Sequence, residues 1–546
     1  MTSRHGLAHD FVLPTLLFVS LGGMTWAVRG CSGFGAVAGC LFAGVTWGAA
    51  WWYLAQGTPG ESPRRYRSGW VVLALTVGVG ISGARGWMQW PSFFEGRLIT
   101  DAAKGISVPI PRAYGFLWLF IAGVPWAGIG ACLLAWCGSI RETRAWHWLL
   151  RIAMGLGGGA LARYLFDTYP EQFLPLYASI ESRYRDLAAN PSLRRLVNDS
   201  GAAIVHFGTY LGFLLYEAIR REGKNVVLIG TVGVVNGLGW AACQNWKWAK
   251  TVWPTSDFNF WRCWESSGGL SIGLALGIAY SLVNRPMSGR EQVAMASRRS
   301  IVGPSFEWLL VFSGLAWGLG LVLRHSMGGW GNLYVSIVLL FGVAYSLTRR
   351  SPGQTIAPSI SLTAAMFVSL FLPGGYGVLL GGIALALGLA WDRTHARAFE
   401  ALTPPDGDPT LERLSLHLGL LLGLGLSIRN GLKGWFNIYQ GNEEFWSQRL
   451  WEISGPIFLI LLIALCILAF IRLSSRSHGG RCDSRAYRLI WLVLIVQNVI
   501  AQMITGPLSL WNEMAFSLYY GLLFLIDATI VFHYHAIRDR VVSHDD

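Results

Sequence analysis

The sequence predicts an all-α fold: a polytopic integral membrane bundle of about 16 transmembrane helices, built from repeated helical hairpins. The first observation is composition, since 53% of the 546 residues are hydrophobic and 13% are charged, against roughly 25% charged in a typical soluble domain. The second is the recurrence of apolar runs of about 17 to 23 residues, the length that crosses a hydrocarbon core of about 30 Å. A soluble fold could not cover its surface with so few charges.

The apolar runs define the predicted spans in chain order. They cover 11–28, 34–53, 69–86, 114–136, 147–165, 201–219, 226–244, 266–284, 306–323, 333–348, 356–372, 375–391, 414–430, 452–472, 488–505 and 515–534. The first run follows a basic residue, as a secretory signal would. No small-residue cleavage site follows it, however, and Arg29-Gly30 leads straight into the next run. We therefore expect a membrane helix there.

Glycines at helical spacing recur within the spans, most clearly as Gly269, Gly273 and Gly277. Lipid tails are as apolar as leucine, so membrane helices associate through close backbone approach, which small residues one turn apart allow. This pattern predicts tightly packed helix pairs.

Two stretches share one phrase, Trp264-Glu265-Ser266-Ser267-Gly268 and Trp451-Glu452-Ile453-Ser454-Gly455, and each opens a long apolar run. The repetition indicates duplication. We expect two membrane bundles of about eight helices each, at 1–290 and 291–546. Within the first, the segment 166–199 has apolar residues at helical spacing, which predicts an amphipathic helix on the outer surface.

The net charge of +13 is interpreted as a topology signal. Lysine and arginine mark cytoplasmic connections in membrane proteins, and they predict both termini in the cytoplasm, with anionic membrane lipids as partners. The clusters are Arg64, Arg65 and Arg67; Arg220, Arg221 and Lys224; Arg285, Arg290, Arg298 and Arg299; Arg349 and Arg350; and Arg472, Arg476, Arg481, Arg485 and Arg488. The expected location is a bacterial inner (plasma) membrane. No basic arm or motif indicates nucleic-acid binding.

A polar, tryptophan-rich set gathers at the predicted outer ends of the helices. The candidate substrate-binding residues are Arg85, Trp87, Gln244, Asn245, Trp248, Glu265, Arg429, Asn430, Trp435 and Glu452. Arginine, amide and carboxylate groups beside aromatic surfaces suit a polar, ring-bearing or anionic solute. The alternative is structural: tryptophans anchor helices at membrane interfaces, glutamates cap helix starts, and Arg85 and Arg429 pair with Glu265 and Glu452. The sequence is compatible both with a disulfide between Cys243 and Cys263 and with two buried thiols at these positions.

A deeper set lies in the last two spans. Asp527 falls near the middle of the last span, and Gln497 and Asn498 fall at similar depth in the preceding one. A buried acid that takes up a proton reversibly would serve as a proton-coupling site. His533 and His535 could relay that proton. In the alternative, Asp527 only ties two helices together.

These patterns predict a secondary transporter for a small polar or anionic solute, with a sugar or sugar acid as the example. One alternative is a membrane-embedded transferase acting on a lipid-linked substrate at the outer leaflet, and another is a non-catalytic scaffold subunit. A transporter is favoured over an enzyme, so no catalytic residue is assigned. No Walker loop, hydrolase signature or cysteine metal spacing occurs, so no cofactor or metal is expected. A homo-oligomer stays open.

Overall fold

The computed structural model describes residues 8–31, 36–57, 62–83, 90–141, 143, 145–296, 416, 419–420, 423–425, 427–428, 456–469, 488–497 and 510–542. The protein is mostly helical, and within these residues seven helices are long and apolar enough to cross a membrane. It is a helical membrane protein. The predicted spans at 306–323, 333–348, 356–372 and 375–391 lie outside the described residues.

The longer helices follow the predicted apolar runs with shifted ends. We number them α1 Leu13–Cys31, α2 Ala36–Ala55, α3 Trp70–Ser82, α4 Ala113–Ala135, α5 Ala145–Thr168, α6 Pro191–Ile219, α7 Gly223–Cys243, α8 Phe260–Val283, α9 Pro456–Ala469, α10 Arg488–Gln497 and α11 Leu510–Val542. Short helices cover Trp90–Phe94, Pro170–Phe173, Glu181–Arg185, Trp246–Val252 and Gly289–Ala296.

The glycines of α8 pack against α1, as their spacing predicts. A Cβ atom added to Gly273 would lie 2.1 Å from the backbone oxygen of Phe18, and one added to Gly277 would lie 2.6 Å from the Cα atom of Thr15. Any side chain at these positions would force the two helices apart. The predicted glycine packing face is therefore confirmed for α8.

The segment 166–199 differs from the single amphipathic helix that its periodicity predicts. Its chain is broken into short turns at Pro170–Phe173, Tyr177–Ser179 and Glu181–Arg185, before α6 begins at Pro191. Proline cannot donate the backbone hydrogen bond that a helix interior needs, and Pro170, Pro175 and Pro191 interrupt this stretch. Tyr184 is nevertheless buried against the core, as the apolar spacing indicates.

A small β-hairpin stands before α4 and was not predicted. Strand β1 (Arg97–Asp101) pairs antiparallel with β2 (Ile106–Pro109). The connecting turn includes Gly105 at φ +67°, a conformation that glycine adopts without strain. The backbone N–H of Ala102 donates to the hydroxyl of Ser192, which joins the hairpin to the start of α6.

Helix α11 lies along α1 and the start of α8. At one end, the Asn512 side chain donates to the backbone oxygen of Asp257 over 3.0 Å. At the other end, the Tyr534 hydroxyl donates to the backbone oxygen of His9 over 2.8 Å. The start of α1 and the end of α11 therefore lie side by side.

Candidate functional site

Buried ion pairs hold several chain connections together at one end of the bundle, which we call the ion-pair end. The Arg65 guanidinium lies 2.7 Å from the carboxylate of Glu222, and both side chains are almost fully buried. Glu222 also accepts the backbone N–H of Arg141 over 3.0 Å. Connections α2–α3, α4–α5 and α6–α7 therefore meet at one carboxylate.

A second buried pair lies beside the first. Arg151 of α5 lies 2.8 Å from the carboxylate of Glu217 at the end of α6, and Glu217 accepts the Asn225 amide over 2.7 Å. The Arg151 guanidinium also lies 5.0 Å from the ring centroids of both Trp148 and Tyr216. Ring faces attract a cation, more strongly where water is excluded, so this arginine is held by charge and by aromatic contact.

Tyr66 links the two pairs to the end of α8. Its hydroxyl donates to the Asn225 amide oxygen over 2.7 Å, and its backbone N–H donates to the Asn284 side chain over 3.1 Å. Burial raises the pKa of the Tyr66 phenol, and the nearby Arg65 guanidinium opposes this only in part. Tyr66 therefore acts as a neutral hydrogen-bond donor.

The sequence analysis did not predict that these residues form a buried network. Arg65 was interpreted only as part of a cytoplasmic basic cluster, yet it is 4% exposed. The available signal was Glu217 and Glu222, two acids that bracket the basic pair Arg220-Arg221 at the junction of α6 and α7.

Four tryptophan rings form a buried cluster toward the opposite end of the bundle. We define this tryptophan cluster as Trp26, Trp126, Trp240 and Trp264. Trp240 is central, because its ring centroid lies 4.3 Å from that of Trp126 and 5.2 Å from that of Trp264. All four rings are buried. They belong to α1, α4, α7 and α8, so these tryptophans pack the core rather than lie at a membrane interface.

Two predicted site residues adjoin this cluster. Gln244 follows Trp240 by one helical turn, and Glu265 directly follows Trp264; both are fully buried. Both atoms of the Gln244 amide, and the indole N–H of Trp240, have no hydrogen-bond partner within the described parts of the chain. The contact between Trp240 and Trp264 thus brings Gln244 and Glu265 to the same region.

The other predicted binding residues lie farther out or cannot be placed. Asn245 satisfies its own amide locally, donating to the backbone oxygen of Ala242 over 2.8 Å. The Trp248 ring lies 4.7 Å from that of Phe94 and 5.4 Å from the Arg112 guanidinium. The predicted residues outside the described ones are Arg85, Trp87, Arg429, Asn430, Trp435, Glu452 and Asn498.

The thiols of Cys243 and Cys263 are not bridged. Each flanks the connection between α7 and α8, and each is partly buried. Of the two alternatives left open by the sequence, the structure has the pair of thiols. Among the described residues, no cluster of three His, Cys, Asp or Glu side chains suits a metal ion.

Asp527 is fully buried in the middle of α11. The hydroxyl of Ser20 on α1 hydrogen-bonds to one carboxyl oxygen, and the other oxygen has no partner among the residues that can be described. Gln497, which was expected to lie beside this acid, makes no hydrogen bond to it; its amide is buried and unpartnered within the same residues. The contact that the sequence could not reveal is the one to α1.

Asp527 belongs to a row of polar side chains on one face of α11. We define the polar face of α11 as Asn512, Tyr519, Asp527 and Tyr534. Spacings of seven or eight residues place them within one stripe of a 3.6-residue helix. Their hydrogen-bond partners are, in order, the Asp257 backbone, the Ser266 hydroxyl, the Ser20 hydroxyl and the His9 backbone.

The arrangement can support two kinds of chemistry. The polar face of α11 places one titratable carboxyl deep in an apolar bundle, where it can exchange a proton. The tryptophan cluster places an amide and an indole N–H, both without partners in the described structure, beside aromatic faces, where polar groups of a small molecule can bind. Comparison with known protein families and with curated proteins finds no match to this chain.

Proposed function

We propose that this protein is a proton-coupled secondary transporter of a small polar solute. The observation that carries the proposal is Asp527, a fully buried carboxyl in the middle of a membrane-spanning helix. A charge at that depth costs about 2.5–3.5 kcal/mol on insertion scales, so such acids are rare and mark ion or substrate pathways. A serine–amide pair would tie the same helices together without the cost of an acid at that depth.

The Ser20 hydroxyl can pair with Asp527 in either protonation state of the carboxyl. The Ser20 hydroxyl lies 2.7 Å from the backbone oxygen of Leu16, as well as within hydrogen-bond distance of the carboxyl. A serine hydroxyl has one hydrogen to donate. When that hydrogen goes to Leu16, the contact to Asp527 needs a hydrogen from the carboxyl. Loss of that proton would switch the Ser20 hydroxyl from Leu16 to the carboxylate.

The polar face of α11 supports a route for the proton. Its members are separated by about 11 Å along the helix axis, at about 1.5 Å per residue, a spacing that water molecules can bridge. Near the α11 end, the His9 ring lies 6.2 Å from that of His533. Both imidazoles lie beside Tyr534, at the end of the polar face.

The remaining features of the proposal concern location and substrate. We propose the inner membrane of a bacterium, with both termini cytoplasmic and the ion-pair end facing the cytoplasm, because its connections hold the basic clusters. The contact between Tyr534 and His9 supports placing the two chain ends on one side. The solute is small and polar, and binds beside the tryptophan cluster.

The test replaces Asp527 with asparagine, which keeps the shape and the contact to Ser20 but cannot release a proton. Purified protein is reconstituted in vesicles that contain a pH-sensitive dye, and D-galactose and D-galacturonate are added outside. We expect solute-dependent proton movement with the wild-type chain and none with Asp527→Asn. Ser20→Ala should slow the movement without abolishing it.

The matched control is Asp186→Asn, an acid exposed at the surface, which should behave as wild type. Unchanged proton movement in Asp527→Asn would overturn the coupling role. Solute uptake by the wild-type chain without any proton movement would overturn proton coupling altogether, and absence of uptake would overturn transport of these solutes.

A further inference from the structure

The strongest unexplained feature is the group of buried polar atoms beside the tryptophan cluster. Gln244 and Trp240 are 0% and 1% exposed, and the amide oxygen, the amide nitrogen and the indole nitrogen have no hydrogen-bond partner among the described residues. Buried polar groups in folded proteins almost always have partners. Three such atoms within one helical turn can therefore take hydrogen bonds from groups beyond the described residues.

Two other buried amides, both on α7, do have partners. Asn236 lies two turns earlier on α7, and it donates to the backbone oxygen of Gly123 over 2.6 Å while accepting from Ser271. Asn225 at the start of α7 donates to Glu217 and accepts from Tyr66. The same helix therefore satisfies two buried amides through its own neighbours and leaves the third, Gln244, unsatisfied within the described structure.

The chemistry of the unmet groups restricts the ligand. The amide oxygen accepts hydrogen bonds, the amide nitrogen carries two hydrogens to donate, and the indole nitrogen carries one. A carboxylate has no hydrogen for the amide oxygen, and an ammonium has no acceptor for the N–H groups. A hydroxyl both donates and accepts, so two neighbouring hydroxyls can pair with both ends of one amide.

The surroundings favour a ligand with a flat apolar side. The Trp240 ring lies between those of Trp126 and Trp264, with centroid separations of 4.3 and 5.2 Å. Gly268 keeps the backbone of α8 close to this ring, because an added Cβ would lie 2.4 Å from it. A ring with C–H groups on its faces and hydroxyls at its edge matches apolar walls with a few polar groups.

We infer that the amide of Gln244 and the indole N–H of Trp240 bind an uncharged, polyhydroxylated ring of the monosaccharide class. This inference rests on the proposed function, and narrows its solute from polar in general to uncharged sugars. Sugar acids and inorganic anions are excluded as preferred ligands, because neither the Gln244 amide nor the Trp240 indole carries the positive charge that a buried anion needs.

The experiment measures binding rather than transport, on the full-length chain purified in detergent. The probes are D-glucose, D-galactose, D-mannose and myo-inositol, with D-glucuronate and inorganic phosphate as charged competitors, each followed by thermal shift and by calorimetry. We expect at least one uncharged probe to bind and to be preferred over both anions. Gln244→Leu should weaken its binding about tenfold or more, since one unmade hydrogen bond in a buried site has that effect.

Two further variants separate the contacts. Trp240→Phe keeps an aromatic face and removes the N–H, so we expect binding to weaken several-fold without disappearing. Asn245→Ala is the matched control, because it removes the neighbouring amide, which is exposed and already satisfied by Ala242. It should bind as wild type does.

Preferred binding of D-glucuronate or phosphate would overturn the assigned ligand class. Absence of binding by every uncharged probe would overturn the site, and so would equal weakening by Asn245→Ala and Gln244→Leu. Performing the titrations in Asp527→Asn as well distinguishes the two proposals. If sugars bind this variant while the wild-type protein moves no protons, the proposal of proton coupling is wrong and the sugar site is supported. If the wild-type protein moves protons and no uncharged probe binds, proton coupling is supported and the sugar site is wrong.

Discussion

At the ion-pair end, the carboxylates of Glu217 and Glu222 each lie within 2.8 Å of an arginine. Beside the tryptophan cluster, the Gln244 amide meets no partner from the described residues. Both regions are buried, and both join helices that are distant in sequence. They differ in whether the described part of the chain supplies the hydrogen-bond partner of each buried polar group.

The difference indicates different roles for the two regions. A carboxylate paired with a guanidinium and with further donors is stable without any ligand, and losing one member leaves a buried charge uncompensated. Such a network suits a structural role, in which it holds the helix connections together. An amide without partners among the described residues gains hydrogen bonds when another molecule binds, and this suits a binding site. Three experiments test the contrast, in order of expected effect.

The largest effect is expected at the ion-pair end, from Glu217→Gln. Glutamine keeps the contact to Asn225, but it leaves the buried Arg151 without its counter-charge. We expect the free energy of unfolding to fall by about 3–5 kcal/mol, as when one partner of a buried pair is removed. The measurement is the thermal midpoint of the purified protein in detergent.

The control for this variant is Asp167→Asn, which breaks the ion pair with Arg163 on α5. That pair has a similar length of 2.7 Å, but its side chains are 46% and 52% exposed. Exposed pairs of this spacing contribute about 0.3–0.5 kcal/mol. Equal thermal midpoints for the two variants would show that the buried network does not hold the helix connections together.

An intermediate effect is expected from two amides on one helix. Asn236→Leu removes a side chain that makes two hydrogen bonds, so the Gly123 oxygen loses that donor and the Ser271 hydroxyl loses that acceptor, and the free energy of unfolding should fall by about 1–3 kcal/mol. Gln244→Leu loses no hydrogen bond within the described protein, so without sugar it should be neutral or stabilising. A similar loss of stability in both variants, measured by thermal midpoint, would contradict the contrast.

Local patterns in the sequence predicted the helices of the described chain well. The apolar length of α4, α7 and α8 and the glycine spacing of α8 are properties of neighbouring residues, and the structure follows them. The prolines at 170, 175 and 191 were also visible in the sequence, and weighing them against the periodicity would have indicated short turns in place of a helix.

The site was less predictable, because its contacts join residues far apart in sequence. Arg65 pairs with Glu222, and Ser20 with Asp527, and no local spacing encodes such pairs. From composition alone, Arg65 was interpreted as part of a cytoplasmic basic cluster and the tryptophans as interfacial anchors. Only packing shows that Trp240 lies in the core, while Gln244 and Asp527 were identifiable because polar residues are expensive in an apolar run.

The smallest effect is expected at the rim of the ion-pair end, where Lys224 lies 2.6 Å from Glu291. Partial burial alone would raise the pKa of Glu291, but the Lys224 ammonium and the backbone and hydroxyl donors of Ser288 outweigh it and lower the pKa. A lowered pKa in the folded state means that the contribution to stability is present above the ordinary value of about 4.3. It is lost as the pH falls through the lowered value.

Glu291→Gln should therefore lower the free energy of unfolding by no more than about 1 kcal/mol at neutral pH. The difference from wild type should shrink as the pH falls below about 4, and also as salt screens the pair over about 10 Å or less. Glu217→Gln should keep its larger effect in high salt, because screening hardly reaches a buried pair. Thermal midpoints across pH and salt measure both. A salt-sensitive effect of Glu217→Gln and a salt-insensitive effect of Glu291→Gln would reverse the assignment of the buried network and the exposed rim. Only a pair in contact with solvent responds to added ions.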